Sequence, residues 1–133
     1  MFFNENNNSN KELIKIAALL IHAAKIDEDY SSKEEEIIKK TLLKIGAEDS
    51  NLEQIMVDSK KIEKNSVQIL DFTKEVKNMT EKNKIKIVET LWKIIYSNKD
   101  ADIYEANLMR RLAGLLYIDT KTMGDIKEKI KKE

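Results

Sequence analysis

The chain has no cysteine and no proline, and only three glycines among its 133 residues. Without cysteine, the sequence excludes disulfides, thiolate zinc sites and cysteine nucleophiles. A chain without proline and nearly without glycine lacks the residues that most strongly mark the turns of β-hairpins, and this favours helices. The scarcity of these residues therefore predicts an all-α fold.

Neither sign of charge is in excess, because 24 lysines and arginines balance 24 aspartates and glutamates. Nucleic-acid binding is favoured by a basic surplus, and this balance gives it no support. The locally basic C-terminal segment DIKEKIKKE alternates lysines with acids and isoleucines, which is typical of a solvated helix face. We expect no nucleic acid among the partners.

Long apolar runs are also missing. The longest, Ile16–Ile21, is far shorter than the roughly 18 residues of a membrane span. The opening MFFNENNNSNKE lacks the basic start and sustained apolar run of a signal peptide. We therefore expect a cytoplasmic protein without a membrane span. Residues 1–9 are predicted to be a disordered, asparagine-rich lead, and residues 10–133 a single compact helical domain.

Apolar residues recur with a 3.6-residue period in seven segments, and each segment predicts a helix. The first and fifth have the widest apolar faces, so we expect them to form the centre of the core, with Ile21 and Trp92 at related positions. The pair Ala113-Gly114 lowers the helix propensity of the sixth, which predicts that a neighbouring helix packs closely there. The segments run from about Asn10 to Ile26, from Ser31 to Gly46, after Ser50, from Ser66, from the cap Thr80 to Ser97, from Asp102, and after Thr120.

Two stretches of the chain repeat each other in one continuous register, Leu19–Leu42 and Thr90–Ala113. Each contains a long apolar helix, an acidic loop and a capped, charged helix. Internal repetition of this kind predicts a duplicated helix–loop–helix unit. The polar loop positions are Asp27, Asp29, Ser31 and Glu34 in the first copy, and Asn98, Asp100, Asp102 and Glu105 in the second.

The acidic loops allow two interpretations. In the first, a Ser or Asp cap and the Glu three residues later form a capping box at the start of each second helix, where acids also gain from the helix dipole. In the second, oxygens at alternate loop positions converge on a hard divalent cation, Ca²⁺ or Mg²⁺. Spacing alone favours the caps, but caps leave the earlier loop acids unexplained. The predicted metal ligands are Asp27, Asp29, Glu34, Asn98, Asp100, Asp102 and Glu105.

Catalysis has little support in the sequence. His22 is the only histidine, and it lies within the first predicted helix without an acid or nucleophile at catalytic spacing. We expect it to be partly buried and satisfied by a polar neighbour. The isolated glycines form no phosphate-binding loop. These features predict a non-enzymatic protein with no catalytic residues.

The second repeat resembles a motif of the tellurite-resistance protein B (TerB) family, L-W-R-x-x-Y-A-D-G-E-x-x-x-Y-E-x-x-L-x-R-R-x-A-D-L-L. In the first loop Asp27 and Glu34 match the family pattern, and the resemblance covers about Asn10 to Ile118. It implies an all-helical domain of about seven helices, cytoplasmic and non-enzymatic, with divalent-cation sites and a role in tellurite and other stress responses. The matching residues of the second motif are Leu91, Trp92, Tyr96, Tyr104, Glu105, Leu108, Arg110, Arg111, Ala113, Leu115 and Leu116.

The loops depart from the family's A-D-G-E form. Its glycine is Glu28 in the first loop and Lys99 in the second, where the leading aspartate is also replaced, by Asn98. Because Lys99 opposes a cation, we expect the first loop to bind a divalent ion more tightly. Arg110 and Arg111 are most simply interpreted as solvent-exposed, and the alternative is bidentate pairing with remaining loop carboxylates. A metal-free helical adaptor is the alternative, and the protein partner, the physiological cue and the oligomeric state stay open.

Overall fold

The computed structural model describes residues 2–25, 32–65, 70–96 and 103–132. Within these ranges the chain forms seven α-helices and no strand, which confirms the predicted all-α class. The helices are α1 (Phe2–Ala24), α2 (Ser32–Lys44), α3 (Asp49–Asn65), α4 (Leu70–Lys77), α5 (Glu81–Tyr96), α6 (Ile103–Leu115) and α7 (Thr120–Lys131).

Helix α1 lies at the centre of the core. Every residue from Ile16 to Ile21 is buried, and the helix packs against α2, α3, α4 and α5. A helix with apolar residues on most sides needs such neighbours to remove them from water. Although α1 is long, no helix in the described ranges is long and apolar enough to cross a membrane.

Helix α5 is the second central element. It packs against α1, α2 and α7 and buries apolar side chains along most of its length, Trp92 among them. Ile21 and Trp92 are both buried at equivalent positions of the two repeats. The prediction that the first and fifth helices carry the core is confirmed.

Two threonines connect α2, which follows the first acidic loop, to α5, which precedes the second acidic loop. Thr41 Oγ1 of α2 and Thr90 Oγ1 of α5 lie 2.6 Å apart in a buried hydrogen bond. Each hydroxyl also lies within hydrogen-bonding distance of a carbonyl of its own helix, Ile37 O at 3.1 Å and Lys86 O at 2.9 Å. The polar pair is therefore satisfied, and it fixes α2 against α5.

The repeat extends further in the structure than the sequence comparison predicts. In the register of the repeat, α6 begins and ends at the positions equivalent to the ends of α2, and α7 begins at the position equivalent to the start of α3. The turns between these helices also match: Ala47 N donates to Leu42 O at 2.8 Å, and Ile118 N donates to Ala113 O at 2.9 Å. The fold is thus two copies of a three-helix unit, α1–α3 and α5–α7, joined by α4.

Both of these turns use a residue with positive φ. Gly46 has φ 129°, and Tyr117, at the equivalent position, has φ 58°. Glycine adopts this conformation without a steric penalty, whereas an L-residue loses about 1–2 kcal/mol. Tyr117 is exposed, and Lys77 Nζ lies 5.3 Å from the centroid of its ring in a cation–π contact. The sequence identifies Gly46 as a helix end, but the residue type of Tyr117 does not indicate that it adopts a positive φ at the equivalent turn.

These equivalent turns predict opposite effects of mutation. Tyr117→Gly should raise the free energy of unfolding by roughly 0.5 kcal/mol, because the released strain exceeds the exposed cation–π contact that is lost. Gly46→Ala should lower it by roughly 1–3 kcal/mol, because alanine is strained at that φ. Urea denaturation followed by circular dichroism measures both changes. Two changes of the same sign would contradict the equivalence of the turns.

The helix caps are close to their predicted positions. Asn83 N lies 3.3 Å from Thr80 Oγ1, so Thr80 caps α5 as predicted. Helix α7 is capped by Asp119, whose carboxylate accepts the N–H of Thr122 at 2.6 Å, one residue before the predicted cap at Thr120. This hydrogen bond lowers the pKa of Asp119.

Helix α1 begins at Phe2, whereas the sequence predicts a start near Asn10. The segment predicted as a disordered lead therefore has helical backbone in the structure. Extending a helix that has already nucleated adds one hydrogen bond per residue, and asparagine opposes it only moderately. The division of the chain at residue 10 stays a prediction.

The expectation of close packing at Ala113 and Gly114 is met at Ala113, which is buried in the core, but not at Gly114. Gly114 is exposed, and a Cβ built on it meets no atom of the described residues within 4 Å. It lies in the last turn of α6, where its carbonyl accepts the N–H of Tyr117 at 3.3 Å. A glycine near a helix end reduces helix stability less than one in the interior, so no close helix contact is needed to explain it.

Candidate functional site

The two acidic loops connect equivalent pairs of helices. The first runs from the end of α1 to the start of α2, and the second from the end of α5 to the start of α6. Most predicted metal ligands lie in these connections and outside the described residues. These are Asp27 and Asp29 in the first loop, with Ser31, and Asn98, Asp100 and Asp102 in the second. Glu105 lies in α6, but its side chain is not among those described.

Glu34 is the one predicted ligand whose side chain the structure describes. It is the third residue of α2 and only 1% exposed. A carboxylate in the first turn of a helix is stabilised by the positive end of the helix dipole, and the third position is that of the Glu in a capping box. Glu34 has at least one hydrogen-bonding or electrostatic partner, as a buried carboxylate requires. Its position is compatible with both interpretations of the loop.

The chemistry of the loop residues fits a hard cation. Carboxylate, amide and hydroxyl oxygens are the donors that Ca²⁺ and Mg²⁺ take in proteins. Elsewhere in the chain, the described ranges bring no three His, Asp or Glu side chains together in a way that could hold a metal.

The lone histidine is held by a carboxylate from α3. His22 Nδ1 lies 3.3 Å from Glu63 Oε2, and His22 is partly buried, as the sequence predicts. The same carboxylate accepts a hydrogen bond from Lys25 Nζ at 2.8 Å. Lys25 is the last described residue before the first loop, so Glu63 compensates a positive charge at the entrance of that loop. No sequence signal identifies Glu63, because its partners are distant along the chain.

The residues that match the second motif divide between the core and the surface. Trp92 is buried and stacks on Tyr96, with ring centroids 5.9 Å apart and an angle of 22° between the ring planes. Arg110 and Arg111 are exposed on α6. This exposure agrees with the favoured interpretation of the sequence. The alternative, pairing with loop carboxylates, involves side chains that the structure does not describe and stays untested.

The fold and the loops define a class of protein: an all-α domain made of two helix–loop–helix units, each with an acidic connection. A family model described as tellurite resistance protein TerB matches residues 13–128. Because this match covers most of the chain, the protein belongs to the TerB family. Comparisons with curated proteins and with solved structures gave no match.

Proposed function

We propose that the protein is a non-enzymatic, TerB-like helical module that binds a divalent cation, Ca²⁺ or Mg²⁺, at its acidic loops and acts through protein partners in a stress or tellurite-resistance-type response. Membership of the TerB family supports the proposal that the protein is a TerB-like helical module. The observation that carries the cation proposal is the duplication, because α2 and α6 begin at equivalent positions after loops of the same acidic pattern.

Electrostatic repulsion within the first loop supports this proposal. Asp27, Glu28 and Asp29 are consecutive in the chain, and Glu34 is held in the adjacent first turn of α2. Like charges this close raise the free energy of the folded state unless a counter-charge is present. A bound divalent ion supplies that counter-charge, and the burial of Glu34 gives it one carboxylate of restricted mobility.

The burial of Glu34 also supports a second candidate function, a metal-free helical adaptor. A glutamate at the third position of α2 satisfies a backbone N–H at the helix entrance when it acts in a capping box. In that case the loop acids only cap helices and interact with the helix dipole. The two functions share the fold and differ in whether the loops bind an ion.

Isothermal titration calorimetry separates the two functions. Chelator-treated protein is titrated with Ca²⁺ and, separately, with Mg²⁺. We expect saturable binding, and we expect Asp27→Asn/Asp29→Asn to remove the tighter component. The matched control is Asp125→Asn/Glu128→Gln, which removes two exposed acids of α7 and should bind as the wild type does. Absence of binding to either ion at millimolar concentration would leave the metal-free adaptor.

The non-enzymatic part of the proposal makes a separate prediction for the lone histidine. His22→Gln keeps a polar group that can reach Glu63, so it should leave cation binding and any cellular phenotype of the folded protein unchanged. The comparison uses variants whose melting temperature matches that of the wild type. Loss of the phenotype with unchanged stability would favour a catalytic role for His22.

A further inference from the structure

A cleft of about 180 Å³ opens between α5, α6 and α7, and none of its lining residues is among the predicted metal ligands. Its floor is apolar and is formed by the buried side chains of Trp92, Met109, Ala113 and Met123. Two cationic residues, Arg110 of α6 and Lys127 of α7, complete its sides, and the described lining contains no acid. The cleft therefore combines an apolar floor with uncompensated positive charge.

In the first repeat the equivalent positions hold an ion pair. In the register of the repeat, Lys39 occupies the position equivalent to Arg110, and Glu53 the position equivalent to Gly124. Lys39 Nζ lies 3.0 Å from Glu53 Oε1. The hydrogen bond to the Glu53 carboxylate raises the pKa of Lys39. In this copy, the chain itself supplies the anion that pairs with the cation.

The second repeat keeps the cation but lacks the anion. Gly124 has no side chain, and a Cβ placed on it meets no described atom within 4 Å. No carboxylate among the described residues forms an ion pair with Arg110, in contrast to Lys39. The replacement of Glu53 by Gly124 is one of the differences between the repeats that leave this place open and Arg110 without a carboxylate among the described residues.

We propose that this cleft binds a small carboxylic acid carrying one ring, with its carboxylate on Arg110 and Lys127 and its ring on the apolar floor. The carboxylate takes the role that Glu53 has in the first repeat, and a guanidinium is well suited to hold it with two parallel hydrogen bonds. A cavity of about 150 Å³ accommodates benzene, so 180 Å³ is sufficient for a phenyl group. Lys127 Nζ lies 5.6 Å from the centroid of the Trp92 ring, which places its charge over the floor. This binding site does not depend on the proposed cation sites.

The tryptophan in the cleft reports on binding directly, because the chain contains only one. The probes are 3-phenylpropionate and 3-phenylpropionamide, which have nearly the same shape and differ in charge. We expect a saturable change of Trp92 fluorescence with the acid at a Kd of roughly 0.1–1 mM, the range for a ligand of about ten heavy atoms. The neutral amide should bind at least about fivefold more weakly, because it lacks the charge-assisted pairing.

Substitutions that place a side chain at position 124 test whether Gly124 creates the site. Gly124→Glu reproduces the first repeat, and it should abolish binding of the acid and raise the melting temperature. Gly124→Leu fills the same space without charge and should also abolish binding. Gly114→Glu and Gly114→Leu are the matched controls, because Gly114 is a helical glycine with equally open surroundings outside the cleft. Both controls should bind as the wild type does.

A charge variant tests the anion preference. Lys127→Gln should weaken binding of the acid by roughly three- to tenfold, the effect expected for one charged hydrogen bond near solvent. Lys121→Gln, which removes an exposed lysine of the same helix outside the lining, should leave the affinity unchanged. Circular dichroism confirms that each variant is folded before it is compared.

Three results would overturn the proposal. The first is the absence of a saturable fluorescence change in the wild type at about 10 mM acid, well above the expected Kd. The second is equal affinity for the acid and the amide, which would mean that the cations do not select the ligand. The third is unchanged binding in folded Gly124→Glu and Gly124→Leu, which would place the ligand elsewhere.

Discussion

Trp92→Ala is expected to lower the free energy of unfolding by about 3–5 kcal/mol, the range for removal of a buried aromatic side chain. Trp92 is 4% exposed in a helix that packs against α1, α2 and α7. The substitution also removes the stacking on Tyr96 and the contact with Lys127.

Trp92→Phe serves as the conservative comparison. The indole N–H of Trp92 is buried without a hydrogen-bond partner among the described residues. Phenylalanine removes this unsatisfied donor and keeps most of the apolar area, so the loss should stay below about 1.5 kcal/mol. Ile21→Ala, at the equivalent position of the first repeat, should lower stability by about 2–5 kcal/mol.

Urea denaturation followed by far-ultraviolet circular dichroism measures these losses, because the fluorescent residue itself is changed. The surface control is Val57→Ala on α3, whose side chain is exposed and whose removal should change stability by less than about 0.5 kcal/mol. A loss below about 1 kcal/mol for Trp92→Ala, in a range typical of surface sites, would mean that the repeat-centred core is wrong.

Saturation with a divalent cation is expected to stabilise the fold by about 2.7 kcal/mol when the free ion is about 100-fold above its Kd. For a domain of this size the melting temperature should then rise by several degrees, at roughly 2–8 °C per kcal/mol. Thermal melting in chelator and in millimolar Ca²⁺ or Mg²⁺ measures this shift. The physical reason is that the ion binds the folded loops and not the unfolded chain.

Paired loop variants determine which loop is responsible. Asp27→Asn/Asp29→Asn should remove most of the shift, because the first loop has Glu28 where the second has Lys99. Asp100→Asn/Asp102→Asn should reduce it less. A shift abolished only by the second pair would reverse the expected order of the loops, and no shift in the wild type would support the capping explanation.

Much of the fold is predictable from local signals in the sequence. Thr80 marks a helix start because its hydroxyl caps the first turn, and Gly46 marks a helix end because glycine adopts a positive φ without a steric penalty. The apolar period of α1 and α5 identifies the central helices because burial on several sides requires it. These signals depend on neighbours in sequence, and the structure confirms them.

Other features depend on long-range packing, which a single sequence encodes weakly. The cleft is formed by three helices. A sequence signal for it is Gly124 at the position equivalent to Glu53, which is apparent only when the repeat is extended beyond the second helix of each copy. Tyr117 adopts a positive φ although its residue type gives no indication of it, and only the equivalence with Gly46 does. The contact of Glu63 with His22 has no local signal.

The sequence predicts which residues form the candidate metal site, but not the geometry of the site. Alternating acids identify the loops, and the duplication indicates that they are equivalent. The burial of Glu34 is compatible with both interpretations of the loop, the capping box and the divalent-cation site. The distances between oxygens depend on the backbone of the loops themselves, which residue spacing alone does not determine.

The most direct test of the proposed function is a titration of uniformly ¹⁵N-labelled, chelator-treated protein with Mg²⁺ and Ca²⁺, followed by two-dimensional NMR. We predict that the largest changes of amide chemical shift fall in residues 26–35 and 97–106, and that they saturate at lower ion concentration in the first segment. Unchanged spectra at millimolar ion, or changes confined to residues outside these two segments, would contradict a divalent-cation module.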